Sequence, residues 1–310
     1  MSTILVRQIF IENFQLFAHP YWFELDDDNF RLRAALNNEL GPLRSSLGKF
    51  DPTAVVETPF SKPNAARAAS VIEALLLYRD NLVKTCRVDS TIVLPTKPDK
   101  PTPSTFHLAS RHPDWTHGLS GIELFPLKFM TPSEAQNFLK FWKDYEQAPK
   151  PAYVQAALYR YFLACRMDTT QRLYRMVEYV SALEALLLED DRELSYKLAM
   201  RTSTIVAKSS EERKSLFQFM KKAYDIRSKV VHGTDPGKIS KLIAIKVGKK
   251  EYRLEDVIGT LHTYSRIAIN SVLNYMPKNP SLTKQGLVMK LDKSVAACSD
   301  WTTEVVDLET

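Results

Sequence analysis

Lys222-Ala-Tyr-Asp-Ile-Arg-Ser-Lys-Val-Val-His-Gly233 closes a helical segment that begins near residue 210. On an α-helix, positions i, i+4, i+7, i+11 and i+14 share one face. Here that face reads Leu216, Met220, Ala223, Arg227, Val230, with an arginine where an apolar residue is expected. Gly233 is favoured just past a helix end, and Asp235-Pro236-Gly237 follows as a turn. The spacing therefore puts His232 in the last turn, where unsatisfied carbonyls favour a positive charge. Arg227 and His232 are then about 7.5 Å apart along the axis and roughly 140° apart around it. They share no face unless the helix end unwinds, and line one cleft only if a second surface closes over that end.

Working outward, periodicity predicts further helices over about 152–166, 170–189, 193–207 and 254–276, the last closed by Pro277. Between 233 and 253, Leu242–Val247 and Glu251–Leu254 flank Gly248 and predict a small hairpin. Two other stripes carry a charge: Leu173, Val177, Val180, Glu184, Leu187 and Leu194, Leu198, Arg201, Ile205. A buried unpaired charge costs several kcal/mol, so these groups should be paired or should line a wet cleft. The bland expectation is a Glu184–Arg201 ion pair with no chemistry.

The first half reads differently. Ile4–Phe17, Tyr21–Leu25, Thr91–Leu94 and Gly121–Met130 are strand candidates, with Asp26-Asp27-Asp28 as a turn. Ala65–Arg87 reads as a helix and Asp99–Pro103 as a loop. Thr131, Pro132 and Glu134 mark the start of another helix running to about Gln147. Pro149 and Pro151 break the pattern. The expected class is α+β overall: a mixed α/β N-terminal domain over 1–148, an all-α bundle with a hairpin insertion over 149–278, and an unassigned tail over 279–310.

Charge follows the same division. Residues 1–150 balance 17 basic against 17 acidic side chains, so the net +6 lies entirely in 151–310, where 25 − 19 = 6. Within 207–253 there are 13 basic and 5 acidic residues, a field suited to a polyanion. A solvated lysine-rich face is the equal alternative. No apolar run approaches the ~18 residues needed to span a bilayer. Arg7 and Gln8 interrupt the N-terminal apolar stretch where a signal peptide would continue, so a soluble cytoplasmic protein is expected. Cys86, Cys165 and Cys298 form neither a disulfide framework nor a zinc set. His107, His112 and His117 have Pro113 among them and no regular metal geometry, so neither metal nor cofactor is expected. Tyr153, Tyr159 and Tyr161 are read mainly as packing, with base stacking as the alternative.

Arg227 and His232 form an Arg-x4-His element. Composition alone gives about 0.4 such pairs by chance, so its weight comes from context. Together with Tyr179-Val-Ser-Ala-Leu-Glu-Ala-Leu-Leu-Leu188 and Glu193-Leu-Ser-Tyr-Lys-Leu-Ala-Met-Arg201, in this order and spacing, the 222–233 stretch resembles the HEPN superfamily, and particularly its Apea-like branch. The resemblance covers about 152–276. It implies a dimeric helical bundle in which Arg-x4-His motifs from two protomers form a composite, metal-independent endoribonuclease site. Carried over, the catalytic residues are Arg227 and His232, with Ser228, Glu184 and Arg201 in support. Ser228 stands where the superfamily often has Asn, Asp or His. The resemblance also implies RNA as partner, tRNA among the candidates, and a role in bacterial anti-phage defence or growth arrest. An activator or inhibitor would be sensed by the N-terminal domain.

The residue types suit the chemistry. RNA carries its own nucleophile, the 2′-hydroxyl. A histidine can move protons near neutrality, and an arginine fork suits phosphate oxygens. One histidine cannot easily serve as base and acid on opposite sides of the phosphorus, so the chemistry itself favours two protomers. Cleavage is expected to leave a 2′,3′-cyclic phosphate, with Lys221, Lys222 and Lys229 as candidate phosphate contacts. The competing expectations are an inactive module that binds RNA, nucleotide or a protein, and a structural dimerisation domain.

Overall fold

The computed structural model describes the backbone of residues 2–12, 14–16, 22–26, 30–34, 54–59, 62–78, 84–94, 107–112, 127–129, 132–167, 171–190, 192–234 and 244–296, with side chains at 66, 67, 69–78, 133–167, 171–190, 192–234 and 244–295. Asp99–Pro103, Thr131, His117, Cys298 and the Asp235-Pro236-Gly237 turn lie outside the described residues. So do the side chains of Cys86, His107 and His112. Two compact units divide the chain between Glu146 and Gln147.

The first unit contains β1 (Ser2–Glu12), β2 (Phe14–Leu16), β3 (Trp22–Asp26), β4 (Phe30–Ala34), β5 (Ala54–Pro59), α1 (Lys62–Tyr78), β6 (Lys84–Leu94), β7 (His107–His112) and β8 (Leu127–Phe129), followed by α2 (Pro132–Gln147). Six strands pair in the order β3-β4-β5-β1-β6-β7, every pair antiparallel, and β2 pairs with β8 in parallel. One expectation fails here. The helix predicted over Ala65–Arg87 ends at Tyr78, and the chain from Lys84 onward is strand. Thr85, Val88, Thr91, Ile92 and Val93 make that stretch β-branched and well suited to a pleated surface. It also finds a full-length partner, because Lys84–Leu94 pairs with all of β1. Helices α1 and α2 lock through Trp142, whose indole donates to Ser70 Oγ at 2.9 Å, and Tyr145, whose hydroxyl donates to Glu73 at 2.7 Å.

The second unit is a predominantly helical bundle with one two-stranded sheet. Its helices are α3 (Ala152–Arg166), α4 (Arg172–Leu187), α5 (Leu194–Val206), α6 (Ser210–Val231) and α7 (Leu254–Tyr275). Strands β9 (Ile245–Val247) and β10 (Lys250–Tyr252) form the sheet, and a 3₁₀ turn over Met276–Lys278 precedes α8 (Lys284–Ala296). The five predicted helices are present within a residue or two. Helix α3 packs on α4, α5 on α6, and α4 on α7. The core between them includes Leu158, Phe162, Val180, Leu183, Leu198, Met220, Leu261 and Val272, all nearly inaccessible to solvent. Each such side chain contributes roughly 1.5–3 kcal/mol by leaving water.

The hairpin turns at Gly248-Lys249. Gly248 has φ +58°, the first central position of a two-residue turn that favours glycine. The segment left unassigned in the sequence carries α8. Thr283 Oγ1 caps it by accepting from Gly286 N–H at 3.1 Å, and Leu287, Val288 and Leu291 are buried. These three buried positions fall within five residues, too short a stripe to stand out by periodicity. Among the described residues no helix is long and apolar enough to cross a membrane.

Candidate functional site

The site begins with how α6 ends. Ser209 caps its start, its hydroxyl accepting from Glu212 N–H at 3.1 Å. At the other end the ladder continues regularly to His232, whose N–H donates to Ser228 O at 3.0 Å. Gly233 then takes φ +76°. Its N–H donates to Val230 O at 3.2 Å, and Thr234 N–H donates to Lys229 O at 3.0 Å. These two bonds make a Schellman motif with glycine at the left-handed position. The helix therefore does not unwind before His232, and the roughly 140° offset from Arg227 stands. His232 is exposed, as is Val231 beside it, at 52%.

The motif geometry thus depends on Gly233. Gly233→Ala is expected to cost about 1 kcal/mol, because a Cβ is disfavoured at that φ even where space is open. Urea denaturation measures this, and the fraying should show as lost amide protection at His232 and Gly233. Unchanged stability and protection would mean that the Schellman turn does not hold the helix end.

Arg227 points into the bundle. Its Nη2 donates to Glu184 Oε2 at 2.7 Å, with 22% and 17% of the two side chains exposed. Its guanidinium lies 5.9 Å from the Tyr224 ring centroid, close enough for a cation–π contact. Ser181 hydrogen-bonds Glu184 from one turn earlier on α4. Arg160 on α3 donates to both carboxylate oxygens of Glu178, at 3.1 and 3.0 Å, and its charge also acts on Glu184. Ser181, Tyr224 and Arg160 escaped the sequence reading. The first two stand three residues before Glu184 and Arg227, a spacing that makes helical neighbours. Arg160 had no local signal.

The expected Glu184–Arg201 pair does not form. Glu184 takes Arg227, and Arg201 turns away to α8. Arg201 is 2% exposed, and its Nε and Nη2 donate to the two oxygens of Asp292 at 2.9 Å each, while Nη1 donates to Leu187 O at 2.8 Å. The bidentate fork and the carbonyl together satisfy the buried guanidinium better than Glu184 alone would. Arg201 is therefore a structural anchor of α8 and stands apart from the pair around Arg227. Ser228 is half-buried, whereas Lys221, Lys222 and Lys229 are exposed.

Burial pushes the Glu184 carboxyl above its ordinary value of 4.5, and the Arg227 charge with hydrogen bonds from Ser181 and Arg227 offsets only part of this. Between the ordinary and the raised value the folded state holds more protons on Glu184 than the unfolded state does. Its contribution to stability therefore falls as pH rises through that window. Urea midpoints measured from pH 4.5 upward should decline in the wild type relative to Glu184→Gln. Parallel curves for the two proteins would show that the ion pair fully offsets the burial.

Deeper in the bundle, Tyr161 and His262 are buried against each other, Tyr161 Oη to His262 Nε2 being 3.0 Å with rings stacked at 5.6 Å. Tyr161 is thus packing. Tyr153 donates to Leu282 O at 3.4 Å, and Tyr159 is 63% exposed. Burial also pushes the Cys165 thiol up to about 12, removing it as a nucleophile at neutral pH. Among the described residues no group of three His, Cys, Asp or Glu side chains is placed to hold a metal ion. No protein-family model, no curated protein and no solved structure matches the chain.

Proposed function

We propose that the helical unit is a metal-independent endoribonuclease of the HEPN type, working as a homodimer in bacterial anti-phage defence or growth arrest. The observation that carries this reading is the pose of Arg227. An arginine on an otherwise apolar face is held by Glu184, still part exposed, five residues from an exposed histidine at the same helix end. A guanidinium oriented in advance can stabilise charge on a phosphorane without reorganising. An exposed imidazole can exchange a proton with the 2′-hydroxyl or the 5′-oxygen.

Because the two side chains diverge on one helix, the reading requires a second protomer. The half-exposed Val231 beside His232 supports a contact surface there. In the assembled site, one His232 removes the 2′-proton while the other protonates the leaving 5′-oxygen. The attacking 2′-oxygen then leaves a 2′,3′-cyclic phosphate. Ser228 supplies a hydroxyl for hydrogen bonding but no proton relay near neutrality. The N-terminal unit would sense the trigger.

Purified protein incubated with total RNA and with tRNA in EDTA tests this. The wild type should cleave and His232→Ala should not. Full activity in His232→Ala overturns the reading. A second reading, a module that binds RNA, nucleotide or a protein partner without cleaving, is favoured by one observation: Glu184 already occupies one edge of the Arg227 fork. Binding by the wild type without cleavage would select it.

A further inference from the structure

We infer that the β9–β10 hairpin and the adjoining face of α6 form a docking surface for single-stranded RNA, separate from the Arg227–His232 pair. The surface spans the exposed side of α6, with the hairpin at one edge and the Tyr196–Phe217 rings at the other. Lys222 on α6 donates its ammonium to Lys246 O on β9, which ties the helix to the hairpin. Ile245 and Val247 face inward, so the alternation turns Lys246 outward. Lys249 and Lys250 follow at the exposed turn, and Arg253 is exposed just beyond the second strand. The neighbour of Lys222, Lys221, lies 5.9 Å from the centroid of the Phe217 ring. Phe217 in turn meets Tyr196 edge-on at 5.5 Å, and Tyr196 is 50% exposed. Described carboxylates here include Asp225 on the exposed side of α6, Glu251 and Asp256, and Glu212 acts on Tyr264 beside the Phe219 and Tyr252 rings. Glu251 pairs with Lys246 at 3.3 Å, and Asp256 accepts the Arg253 N–H at 3.0 Å.

Cations interleaved with accessible ring faces are what an unpaired nucleic-acid strand requires. Lysines follow the phosphates, while aromatic rings stack the bases without reading sequence. A membrane fits less well. The hairpin tip is Gly248-Lys249, and neither residue can insert into a bilayer. A duplex fits less well too, since stacking on Tyr196 needs splayed bases. Lys222 lies about 7.5 Å along α6 from Arg227, so a strand held at the hairpin would be near the helix end. The inference goes beyond the ribonuclease reading and holds for either a cleaving or a binding-only bundle.

The test uses the full chain carrying His232→Ala, a fluorescein-labelled unstructured RNA, and anisotropy titrations over a range of salt. Combined Lys246→Gln, Lys249→Gln and Lys250→Gln should weaken binding roughly 10–100-fold at low salt and reduce the salt slope by about 2. Lys249→Glu alone changes only an exposed turn residue and should weaken binding in the same sense. Tyr196→Ala should weaken it with the slope unchanged, because stacking releases no counterions. Unaltered affinity and slope in both lysine variants overturn the inference, as does binding to phosphatidylserine vesicles but not to RNA. In protein that keeps His232, if the wild type cleaves, the lysine variants should raise KM and leave kcat. Cleavage lost in His232→Ala with no effect of the lysines would spare the ribonuclease reading and sink this one. Lysine-dependent binding without wild-type cleavage would do the reverse.

Discussion

Asp292→Ala should destabilise the helical unit by about 3 kcal/mol. The cause is asymmetry within the pair. Arg201 is 2% exposed and Asp292 42%, so the arginine has almost no access to water while its partner does. Removing the carboxylate leaves a buried guanidinium with only Leu187 O to satisfy it. Removing the arginine instead leaves an aspartate that water can reach, so Arg201→Met should cost less although the arginine is the more buried of the two. The difference between the two variants separates a stranded charge from lost packing. Helix α8 should loosen in Asp292→Ala, because its remaining buried anchors are Leu287, Val288 and Leu291, with Lys290 held at the surface on Tyr275. Urea denaturation and amide exchange over Lys284–Ala296 measure both effects. A loss under about 0.5 kcal/mol with α8 still protected would show that its apolar contacts dock it alone.

That ion pair also marks where the sequence stopped being legible. The five central helices could be read because each carries a stripe long enough to repeat the 3.6-residue period several times. The charged interruptions at Glu184, Arg201 and Arg227 were equally visible. Their partners were not. Periodicity places a residue on a face without saying which helix lies opposite, and Asp292 belonged to a segment with no readable stripe. The Thr91–Leu94 end of the Lys84–Leu94 strand was legible, but Lys84–Arg87 reads as helix for a related reason. The preceding apolar run, Val71–Tyr78, extends a helical pattern smoothly into Leu82-Val83, and only pairing along the whole of β1 selects extended backbone. The Gly233 cap and the Gly248 turn were legible because glycine at a helix end and in a hairpin turn has a conformational cause local to the chain. The relation of Arg227 to His232 was legible only as an angle about one helix, and the regular ladder to His232 preserves that angle.

The same angle drives the second large expected effect. Arg227→Ala should lower RNA cleavage by roughly 10²–10³-fold, the usual consequence of removing one preorganised charge from a transition state. The variant should stay folded. Its cost comes mainly from Glu184, which loses the cation that offsets its burial and shifts further toward the protonated form. Arg227→Lys keeps the charge but not the planar fork, so it should retain part of the activity while losing the geometry that Glu184 now fixes. Mixing the two single variants then tests the composite site. A protomer with Arg227→Ala still carries His232, and one with His232→Ala still carries Arg227. If each centre draws on both protomers, a mixed dimer has one arginine and one histidine between its chains. Lacking one proton-transfer group and one guanidinium, it should cleave more slowly than the Arg227→Ala homodimer, which keeps both histidines. Sedimentation velocity on the same samples establishes whether they dimerise. Arg227→Ala that cleaves at the wild-type rate would remove the arginine from the mechanism. In mixtures of proteins that do dimerise and exchange, activity proportional to the Arg227→Ala fraction, rather than to its square, would remove the shared centre.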